Sequence, residues 1–338
     1  MTHPSAMAAE IAEVPRIAAA LREIRAETAR LAAYLDLKRV PLALVCGRGS
    51  SGHAGVFLRY LIETRLGLPV SAIAPSVTTA LARPLKVADA LFIVISQSGG
   101  SPDIIATTKA AREGGALTVA MLNAEGSPLA AESEFVLPLK AGPEHSVAAT
   151  KSVIASMIVG AELVAHLAGD TALLAALDRL PARLEAALSL DWSAFGTAFA
   201  KSPCGYVTGR GFGLGPAREI ALKGAETLRM PILAYSSAEL LHGPRAALDA
   251  TTPVLALRFE DETAASVDHL VADLRAGNVP VFLAGGKAGT LPWLGDDHPV
   301  TDAIAMLVPV YRAIEAAARA RGFDPDRPPH LNKVTRTL

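Results

Sequence analysis

A chain of 338 residues, 51% hydrophobic and 19% charged, is long enough for two domains with their own cores and too apolar to be disordered. Its 32 basic and 33 acidic residues leave a net charge of -1, without the basic field that nucleic acid or an anionic membrane surface attracts. Aromatic residues at 5% leave little for base stacking.

The N-terminus lacks a basic-then-apolar targeting pattern, because Glu10 and Glu13 interrupt it, and a helix is predicted from about Val14 to Leu35. Short apolar runs then alternate with Ala- and Leu-rich helical stretches. LALVC ends at Cys46, VSAIA starts at Val70, LFIVIS at Leu91 and LTVAML at Leu117, with helices predicted over Gly55 to Leu66 and Asp103 to Glu113. The run Val153 to Gly169 contains Glu162 and His166 and reads as a buried helix, not a membrane span. A mostly helical linker follows to Asp191, and the strand-helix alternation resumes.

The second series repeats the first. Gly47-Arg48-Gly49 recurs as Gly209-Arg210-Gly211, at a spacing of 209 − 47 = 162 residues, and Pro69 recurs as Pro231 and Gly115 as Gly277 at the same spacing. The predicted fold is therefore α/β, with two doubly wound parallel-sheet domains related by an internal repeat. The expected layout is an N-terminal helical segment over 1–35, a first domain over 36–170, a second over 192–323 and a short Pro-rich tail over 324–338.

Ligands in open α/β sheets bind at the carboxyl ends of the strands. Two Gly/Ser segments of the first half sit there. In Cys46–Gly55, Ser50 and Ser51 lie near a helix start; in Ser96–Asp103, Ser96, Gln97, Ser98 and Ser101 surround Gly99 and Gly100. Hydroxyls and backbone N–H groups of this kind cradle a phosphate monoester without arginine. Each segment alone also fits an ordinary helix-capping turn with Ser101 as the cap; two at corresponding strand ends favour phosphate. Neither is a Walker loop or a clean G-x-G-x-x-G, so a small phosphorylated metabolite is expected instead of a nucleotide. In a third segment, Gly142–Ser152, Thr150 and Lys151 could face the same cleft, although Lys151 alone reads as a solvated helix residue.

Lys223 and Glu226 stand three apart in a helical run, and His242 opens a His-Gly-Pro corner sixteen residues beyond Glu226. An amine, a carboxylate and an imidazole together can move protons on a sugar carbon. The same residues also fit a surface ion pair and a turn histidine. Cys46 and Cys204 have no Cys or His at metal spacing; they read as buried free thiols of a cytoplasmic protein, and no metal or cofactor is expected.

The loop SQSGGSPD, the segment GPEHSVAATK, the stretch ALKGAE with ELLHGP, the opening Met7–Pro15 and the tail Pro329–Thr335 resemble sugar isomerase (SIS) domains, paired as in the isomerase half of glucosamine-6-phosphate synthase. The resemblance covers nearly the whole chain. It implies that Ser51, Ser96, Gln97, Ser98 and Ser101 hold a sugar phosphate, with Glu144, Val147 and Ala149 also contacting substrate. It implies that Glu226 shuttles a proton between C1 and C2 and that His242 opens the ring from the neighbouring subunit of a homodimer. Lys223 would lie near the reacting centre, and Lys333, otherwise an exposed tail residue, would form an imine with an open-chain ketose. No nucleic acid or membrane partner is implied.

Two departures shape the expectation. Gly100 stands where the synthase has Glu, and the chain runs from Met1-Thr2-His3 straight into the isomerase opening, without a glutaminase segment. The reaction expected is isomerising deamination of glucosamine 6-phosphate to fructose 6-phosphate and ammonia. Alternatives are a glutaminase-less synthase or isomerase, a deaminase or deglycase for galactosamine 6-phosphate or a fructosamine phosphate, and, last, a non-catalytic sugar-phosphate sensor. The sensor ranks last because no basic DNA-reading segment accompanies the domains.

Overall fold

The computed structural model describes residues 4–333. They form two compact units, one of residues 16–144, 151–175 and 332–333, the other of residues 4–15, 145–150 and 176–331.

The first unit carries a five-stranded, wholly parallel sheet. Its strands are β1 (Ala43–Cys46), β2 (Val70–Ala72), β3 (Leu91–Ser96), β4 (Leu117–Leu122) and β5 (Phe135–Pro138), in the order β2-β1-β3-β4-β5. β1 and β3 are buried at every position, as continuous apolar runs covered on both faces require. Helix Lys151–Ala168 is buried from Lys151 to Ala165 and packs against helices Gly49–Leu66 and Arg25–Tyr34. It is long and apolar enough to cross a membrane, but 83% of it lies inside the protein. This makes it a core helix.

The second unit carries β6 (Gly205–Gly209), β7 (Ile232–Ser236), β8 (Val254–Leu257) and β9 (Val281–Ala284), all parallel, in the order β7-β6-β8-β9. The repeat is visible in the register itself. Ala43 pairs with Val70 in the first sheet, and Gly205 pairs with Ile232 in the second, both partners displaced by 205 − 43 = 162 residues.

Three local features differ from expectation. The N-terminal segment turns helical earlier, at Ala6, where the Ser5 hydroxyl accepts the Ala8 N–H, and a 3₁₀ turn at Leu21–Ile24 breaks it before Arg25–Tyr34. The helix after β1 starts at Gly49, which puts Ser50 and Ser51 in its first turn. Cys46 is buried as predicted, whereas Cys204, just ahead of β6, is only half-buried.

Candidate functional site

In the first sheet the order in which strands are added switches sides at the parallel β1–β3 pair, the position where doubly wound sheets take ligands. The loops leaving these two strands carry the predicted serines. After β1, a Cβ on Gly47 would come within 2.9 Å of the Ser51 carbonyl carbon, so only glycine allows the strand to enter the helix this tightly. After β3, Gly99 has φ +59° and its Cβ would fall 1.9 Å from the Ser127 Oγ. The Ser96 hydroxyl accepts the Gly99 N–H at 3.0 Å, and the Ser98 hydroxyl accepts the Gly100 N–H at 3.3 Å. Ser101 occupies the N-cap of helix Pro102–Glu113, but its side chain makes no capping hydrogen bond. The simple capping role is thus unfilled. Gln97 and Ser98 are partly exposed beside it.

Sequence reasoning missed the link between the two loops. Arg48, half-exposed after β1, forms an ion pair with Asp103, whose carboxylate is buried in the first turn of the helix after β3. The pair fixes one loop against the other and leaves the hydroxyl cradle near neutral charge. Burial, with the Asp103 charge adding and Arg48 opposing, pushes the Cys46 thiol up to about 12, so it stays protonated and inert.

At the third segment lies a buried carboxylate. In the first unit, Glu144 accepts the Ser152 N–H at 3.1 Å, the Ser152 hydroxyl at 2.7 Å and the Lys333 ammonium at 3.1 Å. Lys333 is therefore anchored, with a quarter of its side chain exposed, and is not a frayed tail residue. Lys151 is 1% exposed, which corrects the reading of it as a solvated helix residue. In the second unit, Val147 and Ala149 are partly exposed, and the Val147 N–H donates to the Asp326 carbonyl at 3.1 Å.

Helix Leu214–Leu228 of the second unit carries Lys223 and Glu226. Lys223 is 0% exposed, so the pair is not a surface ion pair. Its ammonium donates to Glu226 Oε2 and lies 3.6 Å from Glu219 Oε1, one turn earlier. Tyr311 donates its hydroxyl to Glu219 at 3.2 Å. Glu219 is 1% exposed, while the Glu226 side chain keeps 18% exposure. The arrangement is a buried cation between a sealed carboxylate and an accessible one. Glu219 was legible only as the residue four before Lys223; Tyr311 gave no signal. His242 is the C-cap of the short helix Ser237–Leu241, whose start is fixed by a Ser236/Glu239 capping box, and it is exposed.

The second sheet does not repeat the hydroxyl-rich loop that follows β3. Phe259 replaces Gln97 at the 162-residue offset and is 1% exposed. Its ring lies 2.8 Å from where a Gly213 Cβ would be and meets Trp293 edge-on at 6.2 Å. A buried aromatic ring thus stands where the first sheet has the partly exposed Gln97 amide.

These features define an α/β scaffold of two parallel sheets, the first with a hydroxyl-rich crevice, and comparison with known proteins gives its family. The SIS domain family model matches residues 37–165. A protein of Silicibacter pomeroyi DSS-3, provisionally assigned as a phosphosugar isomerase, is 38% identical, with a TM-score of 0.90 over 96% of this chain and 100% of that one. The chain belongs to the SIS domain family. The isomerizing glutamine–fructose-6-phosphate aminotransferase of Methanothermobacter thermautotrophicus is 33% identical over 84% of this chain and 50% of its own length. That of Halobacterium salinarum is 30% identical over 88% and 52%. The chain thus spans about half the length of these curated relatives. The glucosamine-6-phosphate deaminase of Thermotoga maritima shares the fold at a TM-score of 0.75 and 21% identity, covering 94% of this chain and 98% of that one.

Proposed function

We propose that the protein is a phosphosugar isomerase of the deaminating type, converting glucosamine 6-phosphate and water to fructose 6-phosphate and ammonia. The observation that carries this reading is the accessible Glu226 carboxylate backed by a wholly buried Lys223. A carboxylate that is reachable but tied on one side to a buried cation suits proton transfer between neighbouring carbons.

In this reading Ser51, Ser96, Gln97, Ser98 and Ser101 hold the phosphate, and Val147, Ala149 and Glu144 line the sugar. His242, from the second copy of a homodimer, assists ring opening. Glu226 takes the C2 proton and returns it at C1, and Lys223 steadies the negative charge that develops on the enolamine. The C1 carbonyl becomes a hydroxyl-bearing carbon and C2 becomes an imine. Water adds to the imine carbon, the C–N bond breaks, and ammonia leaves with the remaining proton. Lys333 serves as the amine that meets the open-chain ketose.

A second reading, amination or simple isomerisation of fructose 6-phosphate, is favoured by one observation: the curated relatives at 30–33% identity are isomerizing aminotransferases. One assay separates the two. Purified protein is given glucosamine 6-phosphate, with galactosamine 6-phosphate alongside, and ammonia and fructose 6-phosphate are followed together. Equimolar products from glucosamine 6-phosphate support the deaminase. No ammonia from either amine, with fructose 6-phosphate still bound, overturns it in favour of the second reading.

A further inference from the structure

Glu10 belongs to the opening motif, and the proposed chemistry gives it no part. It is 3% exposed in helix Ala6–Ala12. A carboxylate so buried is costly unless N–H donors meet its charge. Its Oε1 accepts the backbone N–H of His145 and also that of Ser146, at 3.3 Å. The next N–H, of Val147, donates to the Asp326 carbonyl at 3.1 Å. Asp326 closes the ring, since its carboxylate accepts the N–H groups of Ala6 at 2.7 Å and Met7 at 2.8 Å.

Three consecutive amides, 145 to 147, are thus directed at groups outside their own segment. Anchoring the seven-residue helix to the tail needs only Asp326. The Glu10 bonds add nothing to that anchor; their effect is to set the backbone of the segment, leaving the Val147 and Ala149 side chains partly exposed. Lys333 follows Asp326 by seven residues in the chain and is bonded to Glu144, the residue immediately before the segment.

We infer that Glu10 is a positioning residue for substrate turnover: it fixes segment 145–150 and, through Asp326, the tail that carries Lys333. The inference rests on the reading of Val147, Ala149 and Lys333 as substrate-facing.

The test uses the full-length protein with Glu10→Gln, Lys333→Ala, the double variant and Asp326→Asn. Glu10→Gln should lower kcat/KM for glucosamine 6-phosphate by up to about 100-fold, the cost of a small misplacement far from the chemistry. Inorganic phosphate should bind as in the wild type. The double variant should be no worse than the weaker single variant, because both act through one element. Losses that simply multiply would mark Glu10 as a general stabiliser and overturn the inference. Hydrogen exchange reads the geometry without any substrate. Glu10→Gln should speed exchange at residues 145–147 and in the tail but not in β3, whereas Asp326→Asn, which keeps its carbonyl, should speed residues 6–7 alone. Unchanged exchange at 145–147 in Glu10→Gln overturns the inference. A wild type that turns over no amino-sugar phosphate sinks the proposed function, and the exchange result then decides this one by itself.

Discussion

Lys223 donates its ammonium to Glu226 while having no exposed surface of its own, and Glu219 stands 3.6 Å away on the other side. One cation thus holds two carboxylates that differ in a single respect: Glu219 is sealed under Tyr311 and Glu226 is open. The same residue spacing on a solvated helix would contribute only a few tenths of a kcal/mol. Buried, it governs both stability and the site.

Removing the cation should therefore damage the fold. Lys223→Met keeps most of the volume but leaves Glu219 as a buried charge without its partner, a change that costs about 3–5 kcal/mol. Urea unfolding should show a lowered midpoint with an unchanged slope. A variant as stable as the wild type would mean that Glu219 does not depend on Lys223 for its stabilisation.

Glu226→Gln separates chemistry from stability. The amide keeps the shape and a contact to Lys223, and the site is partly open to water. Turnover should fall by about 10²–10⁴, the usual loss with a general base, while fructose 6-phosphate binding changes little. Wild-type turnover would remove Glu226 from the proton-shuttle role.

The proposed homodimer with a shared site makes a sharper prediction. His242→Ala and Glu226→Gln should each be inactive. Mixed after reversible dissociation, they should recover about a quarter of wild-type activity, because half of the dimers are then heterodimers with one intact site each. No recovery on mixing would place His242 and Glu226 of one site in the same chain.

Much of this was readable in the sequence, for reasons that also explain what was not. The offset of 162 residues linked Ala43 to Gly205 before any register was seen, because β-strand pairing in each half follows the same apolar pattern. The serine-rich loop after β3 was legible because it is built from one short stretch of chain. Glu10, Lys151 and Tyr311 were not. Their burial depends on distant segments: Glu10 meets His145 across 135 positions, and Tyr311 meets Glu219 across 92. The early start of helix Gly49–Leu66 was hidden by Gly49, Ser50, Ser51 and Gly52, which are poor helix formers.

The two glycines of the β3 loop should respond differently. Gly99 needs its left-handed backbone, and a Cβ would fall 1.9 Å from Ser127 Oγ and 2.4 Å from its Cβ. A Cβ on Gly100 meets nothing nearer than 3.9 Å. Gly99→Ala should distort the cradle and raise KM for the sugar phosphate by about tenfold or more, since a loop shift of this size costs at least 1.4 kcal/mol in binding. Gly100→Ala should leave KM and melting temperature near wild type. Equal losses in both variants would mean that Gly100 is needed for close approach of the ligand.

Asp302 gives the stability a pH dependence of unusual sign. Burial pushes its carboxyl up to about 7, against the pull of Arg183 and with Asp297 and Asp296 adding to the rise. The contact to Arg183, 2.7 Å, would by itself lower it. Burial prevails because the one guanidinium is shared: it also bonds the Leu294 carbonyl and pairs with Asp296 and Asp297. Between the ordinary aspartate value and about 7, the folded protein then holds a proton that the unfolded chain has lost. Stability from this group is complete below the ordinary value and declines as pH rises to about 7. Asp302→Asn removes that decline, so its stability advantage over the wild type should grow from pH 4 to pH 7 and level off above, measured by urea unfolding across the range. An advantage that grows toward acid instead would show that Arg183 outweighs burial and holds the carboxyl low.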